Sequence, residues 1–189
     1  MKNNPIGSSW QDVRKSLFSE AEIQESNLRV ERMRSGCAIS KKKAGATIFD
    51  VAKYILHKRG TMSTMKLQKL CYYAQGWNMV WNHLPLFNED FQAWTNGPVC
   101  KELFASHHGR LYVSKTFFDL RGNTDNLSDF QMDSIDAILE MYAEKDAQSL
   151  SNLTHTEDPW IIARGNTPKK GHCETIITKE SMFKYYSSL

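Results

Sequence analysis

Met65-Lys66-Leu67-Gln68-Lys69-Leu70-Cys71-Tyr72-Tyr73-Ala74-Gln75-Gly76-Trp77 carries apolar side chains at Leu67, Leu70, Cys71, Ala74 and Trp77, with Trp81 beyond. Residues three, four and seven apart share one face of a helix, so this stretch is expected to be a core helix packed along that stripe. Ser63 stands where an N-cap oxygen is wanted. Lys66 and Lys69 fall off the stripe and are expected to reach water. The segment is too short and too polar to cross a bilayer.

On its N-terminal side, Thr47-Ile48-Phe49-Asp50 supplies a cap and a first-turn acid. Ile48, Val51, Ala52 and Ile55 form a second stripe, and Lys58, Arg59 and Gly60 close that helix. Thr61-Met62-Ser63 is expected to turn the chain back, which favours antiparallel packing of the two helices. On the C-terminal side the helix ends at Asn82-His83-Leu84-Pro85. Phe91-Gln92-Ala93-Trp94 alternates like a short strand, and Asn96-Gly97-Pro98 reads as a turn whose proline starts a helix from Val99 to about His107. Leu111-Tyr112-Val113 and Thr116-Phe117-Phe118 are β-prone, so a small antiparallel β element is expected there.

Further helices are expected after the capping box Ser128-Asp129-Phe130-Gln131, with Met132, Ile135, Leu139 and Tyr142 facing inward. Asp146 can cap a helix through Leu150 and Leu153. Asp158-Pro159-Trp160 reads as an N-cap with a first-turn proline. Gly165 to Gly171 reads as a loop, and Thr178 opens a last helix with Met182, Phe183 and Tyr186 inward. The fold class is therefore mainly α: a compact helical domain with a small antiparallel β element.

An N-terminal arm precedes it. Ser19-Glu20-Ala21-Glu22 has capping-box spacing, and a helix is expected to run to about Arg34, stopped by Ser35-Gly36. Its imperfect apolar face must dock on its own domain or on a partner. Ser40-Lys41-Lys42-Lys43-Ala44-Gly45 reads as a basic linker. The division expected is an arm and linker over 1–45 and a body over 46–189.

The chain has 189 residues, 41% hydrophobic and 24% charged, which suits one ordinary domain with an extension. A net charge of +3 is too weak to indicate nucleic-acid binding, and three lysines on a loop fall short of the clustered contacts that phosphate binding needs. No apolar run spans a bilayer, and Met1 to Ser9 lacks the apolar core of a secretory signal. Cys37, Cys71, Cys100 and Cys173 are widely spaced and are expected to be free thiols in a cytoplasmic protein. The nucleotide-binding glycine patterns, the zinc-protease motif and the serine-hydrolase elbow are missing from the sequence. Of the six histidines, His107-His108 sits at a helix end, where a donor is favoured anyway, and His172-Cys173 has no matching second pair. The polar run from Thr154 to Asp158 is expected to pair backbone groups at a helix junction. Neither enzyme activity, nor a cofactor, nor a metal is expected.

Three segments together resemble a known family. They are Lys66-Leu67-Gln68-Lys69-Leu70 with Tyr72-Tyr73-Ala74-Gln75-Gly76-Trp77; Ala93-Trp94-Thr95-Asn96-Gly97-Pro98-Val99 followed by Glu102-Leu103; and Leu153-Thr154-His155 with Pro159-Trp160 and Ala163-Arg164. Their order and spacing are similar to the Panacea domain, also called SocA-like or GepA-like, from about Thr47 onward. Lys101 stands where many members carry proline. The resemblance implies an antitoxin of bacteria, phages or prophages that binds a cognate toxin protein encoded by the neighbouring gene. One characterised type instead delivers its toxin to the ClpXP protease. The arm, through Trp10-Gln11-Asp12-Val13-Arg14, Leu17-Phe18-Ser19, Glu22-Ile23 and Glu25-Ser26-Asn27-Leu28-Arg29-Val30, resembles the leader of XRE-type antitoxins, but no helix-turn-helix follows it. A DNA-binding regulator is thus the weaker alternative. The residues expected to meet a partner protein are Leu17, Phe18, Ile23, Leu28, Val30 and Met33 on the arm, and Trp94, Asn96, Gly97 and Pro98 on the body.

Overall fold

The computed structural model describes residues 45–168 and 170–189, together with Glu20, Ala21 and Gln24. The arm positions Leu17, Phe18, Ile23, Leu28, Val30 and Met33, and the lysines of the linker, lie outside the described residues.

Helix α1 (Ile48–Arg59) begins at the expected Thr47 cap, and the first-turn acid Asp50 goes further and closes a capping box: its carboxylate accepts from the Thr47 N–H at 2.7 Å and the Thr47 hydroxyl at 3.0 Å. The same carboxylate, buried, also accepts from the Asn123 N–H at 2.6 Å and from Asn126 Nδ2 at 3.2 Å. One side chain thus fixes both the start of α1 and the short 3-10 turn at Thr124–Asn126.

Strand β1 (Met62–Ser63) leads into α2 (Thr64–Asn82), where Ser63 Oγ accepts from the Lys66 N–H at 3.3 Å. Thr61 to Ser63 is therefore not simply a turn. Met62 and Ser63 pair antiparallel with Val113 and Tyr112 of β4 (Tyr112–Val113). The stripe Leu67, Leu70, Cys71, Ala74, Trp77 and Trp81 is buried as expected. The rest of α2 corrects the amphipathic reading, because Gln68, Lys69, Tyr72, Tyr73, Gln75 and Asn78 are buried too. α1, α4 (Asp129–Tyr142), α5 (Ala147–Thr154), α7 (Lys179–Tyr186) and strand β3 (Gly97–Cys100) all pack around it.

Buried polar groups need partners, and the polar face of α2 finds them in the backbone of neighbouring segments. Gln75 donates to Phe87 O at 2.9 Å and accepts from the Leu86 N–H at 2.8 Å. Asn78 Nδ2 donates to Leu84 O at 2.8 Å. Gly76 lets α7 lie directly on the α2 backbone, since a Cβ there would stand 2.5 Å from Tyr186 Cε2.

Strands β2 (Phe91–Trp94), β3 (Gly97–Cys100) and β5 (Ile176–Ile177) form an antiparallel sheet in the order β3-β2-β5. Here the structure departs from the expected helix at Val99. Phe91 pairs with Cys100, Gln92 with Val99 and Ala93 with Pro98, so the helix α3 (Lys101–His107) begins only at Lys101. Thr116–Phe118 is not a strand either. It lies in tight turns that drive Phe118 into the core against Phe49, ring centroids 5.9 Å apart, so its aromatic character serves packing.

α4 starts at the expected Ser128–Gln131 box, and Asp146 and Thr178 cap α5 and α7. The cap of α6 (Asp158–Arg164) is Glu157 rather than Asp158, and Phe183 is 37% exposed instead of facing inward. The fold is mainly α with small antiparallel sheets. Cys71, Cys100 and Cys173 are free thiols.

A braced hairpin over a candidate protein-binding cleft

The β2–β3 hairpin turns through Thr95 and Asn96 and closes on the pair Trp94–Gly97. In an antiparallel pair, opposed residues alternate between bonding each other and presenting their backbone groups outward. Pro98 has no N–H to give to Ala93, and the outward groups follow from that phase. Ala93 N–H donates across to Thr175 O at 2.9 Å, while on the other edge Pro98 and Cys100 face α2.

Two adjacent residues of α2 occupy that outer edge. Lys69 Nζ donates to Pro98 O at 2.9 Å. Gln68 donates to Cys100 O at 3.2 Å and accepts from the Cys100 N–H at 2.9 Å, the pair of bonds a further strand would make. This is the physical reason that Lys69, expected in water, is 0% exposed. Lys66 keeps part of its exposure but donates to Ala143 O.

The opposite edge is held from α6 and the loop after it. Trp160 Nε1 donates to Trp94 O at 3.0 Å. Buried Arg164 donates to Ala93 O at 2.9 Å and to Pro168 O and Gly171 O at 2.6 and 2.9 Å, and Thr95 Oγ1 donates to Gly171 O at 3.1 Å. Ser151 Oγ donates to Asn96 O at 2.9 Å from α5. The segments around Gln68, Trp94 and Arg164, far apart in sequence, are thus the parts of one braced hairpin.

Beside the hairpin lies a cleft of about 310 Å³ lined by Thr64, Met65, Gln68, Lys69, Trp94, Thr95, Asn96, Val99, Phe104, His107, Gly109, Arg110 and His172. Of the four body residues singled out from sequence, Trp94 and Asn96 line it, while Gly97 and Pro98 are buried and shape the turn. The Trp94 ring stands 4.9 Å from Phe104, edge to face.

Gln68, Lys69, His107 and Arg110 were missed as site residues. The available signal was the pair of polar residues inside a helix that every neighbouring segment would cover. His107 is buried at the cleft floor, not simply a donor at a helix end; its Nε2 lies 3.3 Å from Gln68 Nε2. Burial lowers its pKa below the ordinary histidine value, in keeping with a neutral ring that accepts from Gln68.

The junction after α5 behaves as expected in part. Thr154 and Thr156 hydroxyls donate to Ser151 O and Leu153 O, and His155 packs on Trp160 with centroids 4.2 Å apart. Glu157 does something else. It is buried, and its two oxygens accept from Tyr73 OH at 3.2 Å and Tyr186 OH at 2.8 Å. Among the described residues, no group of three or more His, Cys, Asp or Glu is placed to hold a metal ion.

Burial pushes the Lys69 ammonium down to about 7 from its ordinary 10.5. The folded state therefore holds fewer protons than the unfolded chain between those values, and stability rises with pH across that window. Lys69→Met removes this slope while leaving Pro98 O without its donor. The melting temperature of the variant relative to wild type is expected to be several degrees more favourable at pH 6 than at pH 10, read by thermal melts in matched buffers. An equal difference at both pH values would show that Lys69 titrates normally in the fold.

A family model described as antitoxin SocA-like, Panacea domain, matches residues 67–161, the span that contains most of α2, the hairpin and the start of α6. No curated protein and no solved structure matches the chain. Among the described residues no helix is long and apolar enough to cross a membrane. With half of its length covered by that model, this chain belongs to the family of SocA-like antitoxins built on the Panacea domain.

Proposed function

We propose that this chain is an antitoxin that neutralises a cognate toxin, encoded by the neighbouring gene, by binding it directly in the cytoplasm. The observation that supports this reading is the braced hairpin, which lies inside the matched span and holds Trp94 and Asn96 at the edge of an open cleft. Interfaces concentrate their energy in a few rigid anchors, with Trp, Tyr and Arg over-represented. A hairpin held from both edges presents such anchors with little left to order on binding. The chain would act without catalysis, through a body over 46–189 and an arm over 1–45. Leu17, Phe18, Ile23, Leu28, Val30 and Met33 of the arm are proposed as a second contact, laid into a groove of the toxin as an amphipathic helix.

Co-expression with the neighbouring gene tests this. The neighbour alone is expected to arrest growth; this chain is expected to restore it and to co-purify with the toxin. Rescue in which the toxin disappears instead of co-purifying, and which fails in cells lacking ClpX, would make the chain a proteolytic adaptor. A harmless neighbour that does not co-purify would refute the proposal. A double change of Ile23 and Val30 to Asp is expected to abolish protection, and full protection by that variant would remove the arm from the interface.

A further inference from the structure

We propose that the cleft and the Leu111–Tyr112 edge beside it receive an acidic, apolar segment of the partner protein, an inference that rests on the reading of this chain as a direct binder of its toxin. The cleft is lined by one exposed cation, Arg110, by the buried amine of Lys69, whose charged form burial disfavours, and by no carboxylate. Neither group has a carboxylate partner among the described residues. Lys69 bonds only a carbonyl there, and the Arg110 guanidinium lies 5.3 Å from the Phe117 ring centroid. Arg110 is exposed, so it attracts a carboxylate at the modest strength of a water-facing charge, an attraction that salt screens. The volume, about 310 Å³, suits one or two inserted side chains and sits at the small end of the range for small-molecule sites.

The apolar part of the surface adjoins the cleft through the backbone. Leu111 is 80% exposed and Tyr112 66% exposed, directly after Arg110 in the chain. Leu111 O accepts from the Thr64 N–H at 3.0 Å, and Arg110 O accepts from Thr64 Oγ1 at 3.3 Å, with Thr64 itself in the cleft wall. Two neighbouring large apolar side chains that the core does not use, beside an arginine and the Trp94–Phe104 pair, make the mix of anchors that protein interfaces favour. A partner segment that sets an Asp or Glu between apolar residues would satisfy both halves at once: the carboxylate toward Arg110 with Lys69 beneath, the apolar flanks on Leu111 and Tyr112.

The test is a titration of the purified full chain against the purified product of the neighbouring gene. Arg110→Glu combined with Tyr112→Asp is expected to weaken binding roughly tenfold or more, with melting unchanged because both side chains are exposed. Leu120→Asp, at a fully exposed position outside the cleft lining, is expected to bind like wild type. Raising NaCl from about 50 to about 500 mM is expected to weaken wild type more than Arg110→Glu, since the added salt screens the lost attraction. Wild-type binding that the double variant retains in full would overturn this inference and leave the antitoxin reading standing. No binding by wild type would overturn both.

Discussion

Gly97→Val is expected to destabilise the protein by about 3–5 kcal/mol, the sum of a backbone penalty and an overpacking penalty. Gly97 has φ +94°, a conformation that side chains rarely adopt and that a β-branched residue tolerates worst. A Cβ there would also stand 2.6 Å from Thr154 Oγ1 and 2.7 Å from Lys69 Cε. Neither neighbour can simply move away. Thr154 donates to Ser151 O at 2.7 Å and Lys69 to Pro98 O at 2.9 Å, so relief at one point breaks a buried bond at another. Against a total of about 5–15 kcal/mol for a domain, such a loss leaves a chain that melts early or fails to accumulate. Denaturant unfolding of Gly97→Ala and Gly97→Val measures it, with the alanine variant less affected. A loss below about 1 kcal/mol for valine would mean that the turn relaxes freely, against the bracing described above.

Glu157→Ala is expected to cost about 3–6 kcal/mol, because it orphans two buried hydroxyls, Tyr73 and Tyr186, at about 1–3 kcal/mol each and leaves a cavity. Glu157→Gln separates the hydrogen bonds from the charge. Burial raises the Glu157 carboxyl from 4.5 to about 8, opposed by the hydrogen bonds from Tyr186 and Tyr73. The folded state therefore keeps a proton that the unfolded chain releases, and the stability this confers is full below pH 4.5 and is lost as pH rises toward 8. Glutamine, neutral throughout, lacks that decline. Its melting temperature relative to wild type is expected to increase from pH 5 to pH 9, by several degrees at the upper end. A difference that does not change with pH would mean that Glu157 is ionised in the fold across the whole range.

Helix caps were legible in the sequence because a cap is a local contract between residues three positions apart. Thr47 with Asp50 and Ser128 with Gln131 close as capping boxes, and Asp146 and Thr178 each accept from the N–H three positions on. The apolar stripes of α1 and α2 were legible for the same reason. Lys69, Gln68 and Pro98 were not, since their roles depend on one another across a long stretch of chain. A lysine off the stripe reads as solvated until a strand edge with a donor-free proline is laid over it. Val99 was assigned to a helix because Gly97-Pro98 resembles a helix start, and only pairing with Gln92 makes it a strand. β5 is two residues long, too short to show any period. Of the site, the sequence resemblance marked Trp94 and Asn96, which face the cleft, and also Gly97 and Pro98, which do not. Arg110, Leu111 and Tyr112 carried no signal, because an exposed Arg-Leu-Tyr has no spacing to recognise.

The bonds from Lys69 and Gln68 also bear on how copies of this chain meet in a concentrated solution. An open strand edge is a template on which a second molecule can extend the sheet, and soluble proteins blunt such edges. On β3 the outward carbonyls of Pro98 and Cys100 and the outward amide of Cys100 are already taken, and Pro98 has no amide to offer. The far edge of the sheet is the two-residue β5, too brief to seat an incoming strand firmly. A change such as Gln68→Leu would therefore do more than weaken one helix–strand contact. It would leave the Cys100 amide and carbonyl buried without partners, so that any opening of α2 from the sheet would present an edge with free groups on which a second copy could pair.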